Sequence, residues 1–408
     1  MHITSRQHFF DYLAQTSDFP LAIEIEKAEG VYLYGPDGQT YMDFISGIGV
    51  SNVGHRHPRV LKAIYEQLDK YMHLMVFGEY IQSPQTALAA ALAETLQVET
   101  PHPSPFGLIN NIFFTNSGTE ATEGAMKLAK RYTGRTEIIS FFNAYHGASQ
   151  GALSMAGAEY FKTNFRPLLP DTRCIERNNI ADLQKITTKT AAVFFEIIGG
   201  EAGIRLSDPE YLKLLRERCT ETGTILVVDE IQTGFGRTGT FWAFEGAEIY
   251  PDIVLAAKGM GGGMPVGAFM ASQKLMSVFK NNPILGHITT FGGNPVSCAS
   301  ALATLQIIKE GNLSAQATHK GEILRQNLNH PLIKEIRGKG LMIAVELENF
   351  DLLKKVIDRC IQKGLITDWF LFCDNSMRLA PPLIITEERI LQGCQIITDA
   401  LNEVSLNQ

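Results

Sequence analysis

The sequence predicts an α/β fold, with a large domain built on a mostly parallel central sheet and a smaller α+β domain beside it. Between residues 111 and 270 the runs NIFFT, TEIISFF, AAVFF, TILVV, DIVLAA and PVGAFM are mostly apolar throughout rather than alternating. Strands covered on both faces by helices have that composition. Helical patterns fall between several of them, and after about residue 295 the order changes to helices grouped with a single strand. With 408 residues, 45% hydrophobic and 19% charged, the chain can bury more than one small core.

Near the N-terminus, GVYLYGPDGQTYMDF has two strand-like runs around Pro36-Asp37-Gly38, which predicts a hairpin over residues 31–44 suited to a minor domain. From about residue 84 comes an Ala/Leu-rich helix and then a Pro-rich loop at 101–105. NIFFT reads as a strand, and in the segment after it Ala121, Ala125, Leu128, Ala129 and Tyr132 recur at helical spacing. PEYLKLLRERCTETG supplies a crossover helix that stops at Gly223. Beyond residue 296 follow a helix through Leu305, another near Leu324, a strand at 341–347, a helix from Leu352 and a last helix from about Thr386. The expected division is residues 1–60 and 296–408 in the small domain and 61–295 in the large one.

Acidic residues outnumber basic ones, 43 to 36, for a formal net charge of −7, and no dense Lys/Arg block offers a surface for phosphates. Nucleic acid is therefore not an expected partner. The six cysteines are scattered, with no CxxC pair and no metal-ligand cluster, as suits reduced thiols of a cytoplasmic protein without a metal site. No basic start leads into an apolar run at the N-terminus, and nowhere do about 18 apolar residues follow one another, so neither export nor membrane spanning is expected.

Open α/β sheets bind ligands at the carboxyl ends of their strands, where three stretches carry chemistry. Ser117-Gly118-Thr119 follows NIFFT and opens a helix, where hydroxyls, free N–H groups and the helix dipole favour an anion such as phosphate. Asn116 or Ser117 is equally suited to a plain N-cap role. Asp229 ends TILVV, where a carboxylate can hold a cationic ring nitrogen or merely cap the loop that follows. Lys258 follows DIVLAA and precedes Gly259 and Gly261 to Gly263, which leave room for a flat ligand. A solvated turn lysine is the ordinary role there, whereas a desolvated one has a lowered pKa and forms imines with aldehydes. Taken together, a phosphate loop, an acid and an amine meet the demands of pyridoxal phosphate.

Seven ordered stretches, FISGIGVSNVGHRHP, TNSGTEATEGAMKLAKRYTGR, AYHGAS, VVDEIQTGFGRTG, AAKGMGGGMPVGA, TTFGGNP and RLAPPLIIT, resemble the class III or ω-aminotransferases. This fold-type I pyridoxal-phosphate group includes ornithine, acetylornithine and 4-aminobutyrate aminotransferases. The resemblance implies Lys258 as the Schiff-base lysine and proton shuttle, and Asp229 as partner of the pyridine nitrogen. It implies Gln232 at the ring hydroxyl, Tyr145 stacked on the ring with His146 beside it, and Ser117, Gly118 and Thr119 around the phosphate. Glu196 matches a family acid near the cofactor. It further implies a homodimer with shared active sites, in which Thr290 reaches the neighbouring subunit's cofactor. The reaction implied is a ping-pong exchange between a small amine donor and an oxo-acid acceptor.

For specificity, Arg378 matches the family's arginine for an α-carboxylate, and Glu201 matches the glutamate that shields it when the donor lacks one. Two departures bear on the donor. Ala148 stands where the ornithine and 4-aminobutyrate enzymes carry an arginine for the donor's distal carboxylate, and Gly199 replaces a glutamine. Ile48 stands where ornithine aminotransferases have a tyrosine. These differences point to an ω-amino acid or primary amine as donor and 2-oxoglutarate, or pyruvate, as acceptor. Arg166 is a candidate substitute for the missing arginine, with a solvated surface role as its alternative. An acetylornithine or 4-aminobutyrate aminotransferase proper, a pyridoxal-phosphate aminomutase and a nonenzymatic anion-binding module are the competing readings.

Overall fold

The computed structural model describes residues 4–36 and 38–406; Asp37, in the expected hairpin turn, lies outside them. Seven strands form the central sheet in the order Asn111–Thr115, Gly267–Ala271, Ile253–Ala256, Ile225–Asp229, Thr190–Phe195, Glu137–Phe141, Thr172–Ile175. The strands of PVGAFM, DIVLAA and TILVV are buried along their whole length, as their unbroken apolar composition requires.

One strand departs from the parallel pattern. Gly267–Ala271 runs antiparallel to both neighbours, because the connection over residues 257–266 is too short for the helical crossover that a parallel return needs. The edge strand Thr172–Ile175, TRCI, escaped notice in the sequence because it is mixed in polarity and only its last residue is buried.

Helix Gly118–Thr133 buries Ala121, Ala125, Leu128 and Ala129, the stripe expected from their spacing. It begins at Ser117, whose Oγ accepts from Glu120 N, and ends at Gly134 in the left-handed conformation. Small residues on its inner face bring it close to the sheet: a Cβ on Gly124 would lie 2.3 Å from the Phe269 ring. Helix Pro209–Thr222 stops at Gly223, again left-handed at φ 64°, as the sequence predicts.

The expected strand at 341–347 is one of four in an antiparallel sheet, Glu335–Lys339, Met342–Glu346, Cys373–Leu379 and Asp368–Phe370. Helix Phe350–Gln362 packs against this sheet, and helix Glu387–Leu406 packs on that helix and on helix Leu313–Asn327. The N-terminal hairpin of Tyr32–Tyr34 and Thr40–Asp43 gains Leu365–Ile366 as a parallel neighbour, so the two ends of the chain share a sheet. Among the described residues no helix is long and apolar enough to cross a membrane.

Candidate active site

The loops that leave the carboxyl ends of the central strands converge on a cavity of about 490 Å³. Ser117, Gly118 and Thr119 enter from the first strand, Tyr145, His146 and Ala148 from the loop after Glu137–Phe141, and Glu196 and Glu201 from the loop after Thr190–Phe195. Asp229 and Gln232 follow Ile225–Asp229, and Lys258 follows Ile253–Ala256. Because Asp229 and Leu255 are register partners in parallel strands, the acid and the lysine leave adjacent strand ends.

Lys258 has φ 45°, in the left-handed region that a lysine rarely adopts, and it is held there between a fully buried strand and the glycines. Burial lowers the pKa of its amine, and Arg378 adds to that, while Glu201, Asp229 and Glu196 oppose it. Asp229 Oδ1 accepts from Ile231 N at 3.0 Å, so the capping role and the site role coexist in one carboxylate. Its Oδ2 accepts from His146 Nδ1 at 2.7 Å. Burial alone would lower the His146 pKa, but the hydrogen bond and charge of Asp229 outweigh it and raise the value. His146 thus fixes the orientation of the Asp229 carboxylate, which lines the cavity where it can face a cationic ring nitrogen.

The helix start at the cavity is equally built. Ser117 is an N-cap and also lines the cavity, where the first N–H groups of a 16-residue helix face outward without intrahelical partners. Three glycines keep the space open by lacking side chains. A Cβ on Gly147 would lie 2.3 Å from Thr119 Oγ1, one on Gly118 would lie 2.8 Å from Ile231, and one on Gly200 would lie 1.9 Å from Gln232 Oε1. Glu196 is buried with Oε2 unpartnered, and burial pushes its pKa up to about 7. An anion-binding helix start, an acid for a cationic ring nitrogen, a desolvated amine and an orphaned polar atom fit pyridoxal phosphate.

Arg378 does not line the cavity itself. It stands behind Glu201, donating from Nη1 to Oε1 at 2.9 Å and from Nη2 to Oε2 at 3.0 Å. Glu201 Oε2 also accepts from Leu371 N at 3.0 Å. Burial would raise the Glu201 pKa, but Arg378 prevails and holds it below the ordinary carboxylate range. The expected glutamate–arginine pair is thus closed.

Three expected residues lie elsewhere. Ile48 is exposed and has φ 63°, an uncommon conformation for a β-branched residue. The turn is held by Asp43 Oδ1, which accepts from Ile45 N and Ser46 N, and by Ser46 Oγ, which donates to Ala380 O. Thr290 is exposed and does not line this chain's cavity, while its neighbour Thr289 accepts from Asn116 Nδ2 at 3.3 Å. Arg166 pairs with Glu159 at the surface, more than half exposed, so it is no substitute for the arginine absent at 148. Sequence reasoning missed Ile231 and Val50 on the cavity wall, and Asp368 against Arg378. The first two are apolar residues with no chemical signature, and the third is visible only through strand register.

The sequence pattern of the family Aminotransferase class-III matches residues 12–401. The chain belongs to the class-III aminotransferases. This aminotransferase is 37% identical over 395 residues to an acetylornithine aminotransferase of Caldanaerobacter subterraneus subsp. tengcongensis, covering 94% of this chain and 95% of that one. Its structure resembles that of the ornithine aminotransferase from Toxoplasma gondii, with a TM-score of 0.89 at 29% identity, over 100% of this chain and 96% of the other. It also resembles a pyridoxal-phosphate-bound amine transaminase from an uncultivated Pseudomonas species, with a TM-score of 0.86 at 25% identity, over 96% of this chain and 98% of that one. The large and small domains are those of the fold-type I enzymes, and the anion-binding-module reading is set aside.

Proposed function

We propose that this aminotransferase moves an amino group from a primary amine or ω-amino acid to 2-oxoglutarate, or to pyruvate, with pyridoxal phosphate as cofactor. The observation that carries the donor is the closed Glu201–Arg378 pair beside a cavity that has alanine at 148. With the arginine covered by a carboxylate, a donor needs no carboxylate next to its reacting amine. With no cation at 148, it has no fixed partner there for a distal one, and an unpaired buried carboxylate is costly.

Ser117, Gly118 and Thr119 would hold the phosphate, Asp229 the ring nitrogen, Gln232 the ring hydroxyl and Tyr145 the ring face, with His146 and Glu196 supporting them. Bound there, the cofactor supplies an aldehyde that condenses with amines and a ring that takes up electrons from a broken C–H bond. Lys258 Nζ would tether the cofactor and, as a free amine, would take the proton from the amine-bearing carbon of the donor. Its lowered pKa keeps more of the amine neutral for that task at physiological pH. Arg378 serves the acceptor, whose carboxylate takes the two Nη donors as Glu201 withdraws.

A homodimer belongs to the same proposal. Exposed Met72, Leu74, Met75, Tyr80 and Ile81 adjoin exposed Phe291, tied by the His73–Phe291 ring contact and by Asn294 Nδ2 donating to Met72 O. An apolar surface of this kind suits burial against a second copy, which would carry Thr290 toward the partner's cofactor. A cytoplasmic setting accompanies this reading.

The similarity to acetylornithine aminotransferases favours a second donor, N-acetylornithine. The deciding experiment incubates the pyridoxal-phosphate form with butylamine, 1,4-diaminobutane, 4-aminobutyrate, ornithine and N-acetylornithine, and follows conversion to the pyridoxamine form. Amines without an α-carboxylate should convert fastest, and Lys258→Ala should lower the rate by about 10²–10⁴. Fastest conversion by N-acetylornithine would establish the second reading instead. Isomerisation of an amine without any oxo acid would point to an aminomutase.

A further inference from the structure

Arg378 faces a second carboxylate. In the antiparallel pairing of Asp368–Phe370 with Cys373–Leu379, Asp368 stands directly opposite Arg378, so the two side chains leave the same face of the sheet. Asp368 Oδ1 lies 3.0 Å from Arg378 Nε, yet without the alignment of a hydrogen bond. Glu201 holds the other edge of the guanidinium through both Nη atoms, and Nη2 also donates to Trp369 O at 3.0 Å. The Phe370 ring lies 4.7 Å from the guanidinium carbon.

Orientation of Arg378 is therefore already provided by Glu201, Trp369 and Phe370. What Asp368 adds is charge. Above about pH 6, to which burial raises the Asp368 pKa, one guanidinium faces two carboxylates, and this trio carries one surplus negative charge, with the three side chains 4%, 11% and 20% exposed and so weakly screened by solvent; Lys258 is the further cation that acts on Glu201. Asp43, itself paired with His55, reinforces the negative field on Asp368 from the neighbouring sheet.

We propose that Asp368 is a specificity-determining residue acting through Arg378: its surplus charge opposes any carboxylate at the guanidinium and steers the donor half-reaction to amines that bear none beside the reacting group. This rests on the amine-donor reading above. An α-amino acid must bring its carboxylate to a guanidinium that already faces two, whereas a primary amine leaves that end of the cavity to Glu201. The oxo-acid acceptor displaces Glu201 from the Nη edge but leaves Asp368 at Nε. It is consequently held less tightly than by an arginine free of Asp368, which suits a site that must also release a carboxylate product in every cycle.

The test is the affinity of the pyridoxal-phosphate-loaded protein for glutarate, a dicarboxylate that cannot react, measured by calorimetry. Asp368→Asn and, as a second charge-removing variant, Asp368→Ser should tighten glutarate by at least about fivefold, and Asp368→Glu should stay near the wild type. Unchanged affinity in both charge-removing variants overturns the proposal; weaker affinity also overturns it and makes Asp368 an orienting residue of Arg378. Amine turnover is scored separately on the same proteins. Tighter glutarate binding without transfer from any amine would remove the donor reading and leave the charge role standing, whereas amine transfer with unaltered glutarate affinity would do the reverse.

Discussion

Two buried glutamates near the site carry the same electrostatic burden for different reasons. Glu196 keeps an unpartnered oxygen at the cavity, while Glu230 lies just outside it, accepting from Thr233 Oγ1 and from Phe244 N at 2.9 Å. Burial raises the pKa of Glu230 to about 7 from an ordinary 4.5. A carboxyl whose folded pKa is raised binds its proton more tightly in the native state, so its stabilisation is complete below about pH 4.5 and is lost as pH rises toward 7. Glu230→Gln keeps the shape and cannot ionise: its Oε1 can still accept from Phe244 N, while its Nε2 donates to Thr233 Oγ1 in place of accepting from it. Its denaturation midpoint should match the wild type at about pH 4 and exceed it at about pH 8, by about 1–3 kcal/mol in stability. An equal effect at both pH values would show that charge burial is not the cause. At this scale Lys258, Asp229 and Ser117 were legible because each follows an apolar strand, whereas Asp368 was not, since its partner is set by register across Leu371 and Phe372.

At the scale of elements, the helix Gly118–Thr133 sets where Ser117, Gly118 and Thr119 meet the cavity, because its start is fixed by how closely its body lies on the sheet. Gly124 is the contact point, against a Phe269 ring that is stacked on Phe113 at 4.9 Å and edged by Phe279 and His287. Gly124→Ala should therefore destabilise the protein by about 1–3 kcal/mol despite alanine's better helix propensity, because Phe269 has little freedom to move aside. A raised melting temperature in the variant would refute this account of the packing. Helix existence was readable from periodicity and one helix end from Gly223, while the left-handed end at Gly134 was not read from the sequence. The direction of Gly267–Ala271 was not, since its composition is the same whether it runs with or against its neighbours.

For the whole molecule, we propose the division into residues 61–295 against residues 1–60 with 296–408, joined by the sheet that Leu365–Ile366 completes with the N-terminal hairpin. Assembly is the second matter at this scale. The double variant Met72→Glu, Ile81→Glu places two charges on the exposed apolar surface and should shift sedimentation from dimer to monomer. If Thr290 serves the partner's site, the same variant should also retain pyridoxal phosphate less well, seen as loss of visible absorbance on dilution. A dimer that persists with full cofactor retention would move the interface elsewhere.

By itself the sequence determined the family and the fold class, and it named the lysine, the acid and the helix start that meet at one cavity, because strand-end loops carry their chemistry locally, each beside the apolar run that positions it. Only the tertiary structure decided that Glu201 covers Arg378, that Asp368 adds a second charge and that Arg166 is spent at the surface. The first joins residues far apart in the chain, and all three depend on strand register, loop path and burial, which local patterning does not encode.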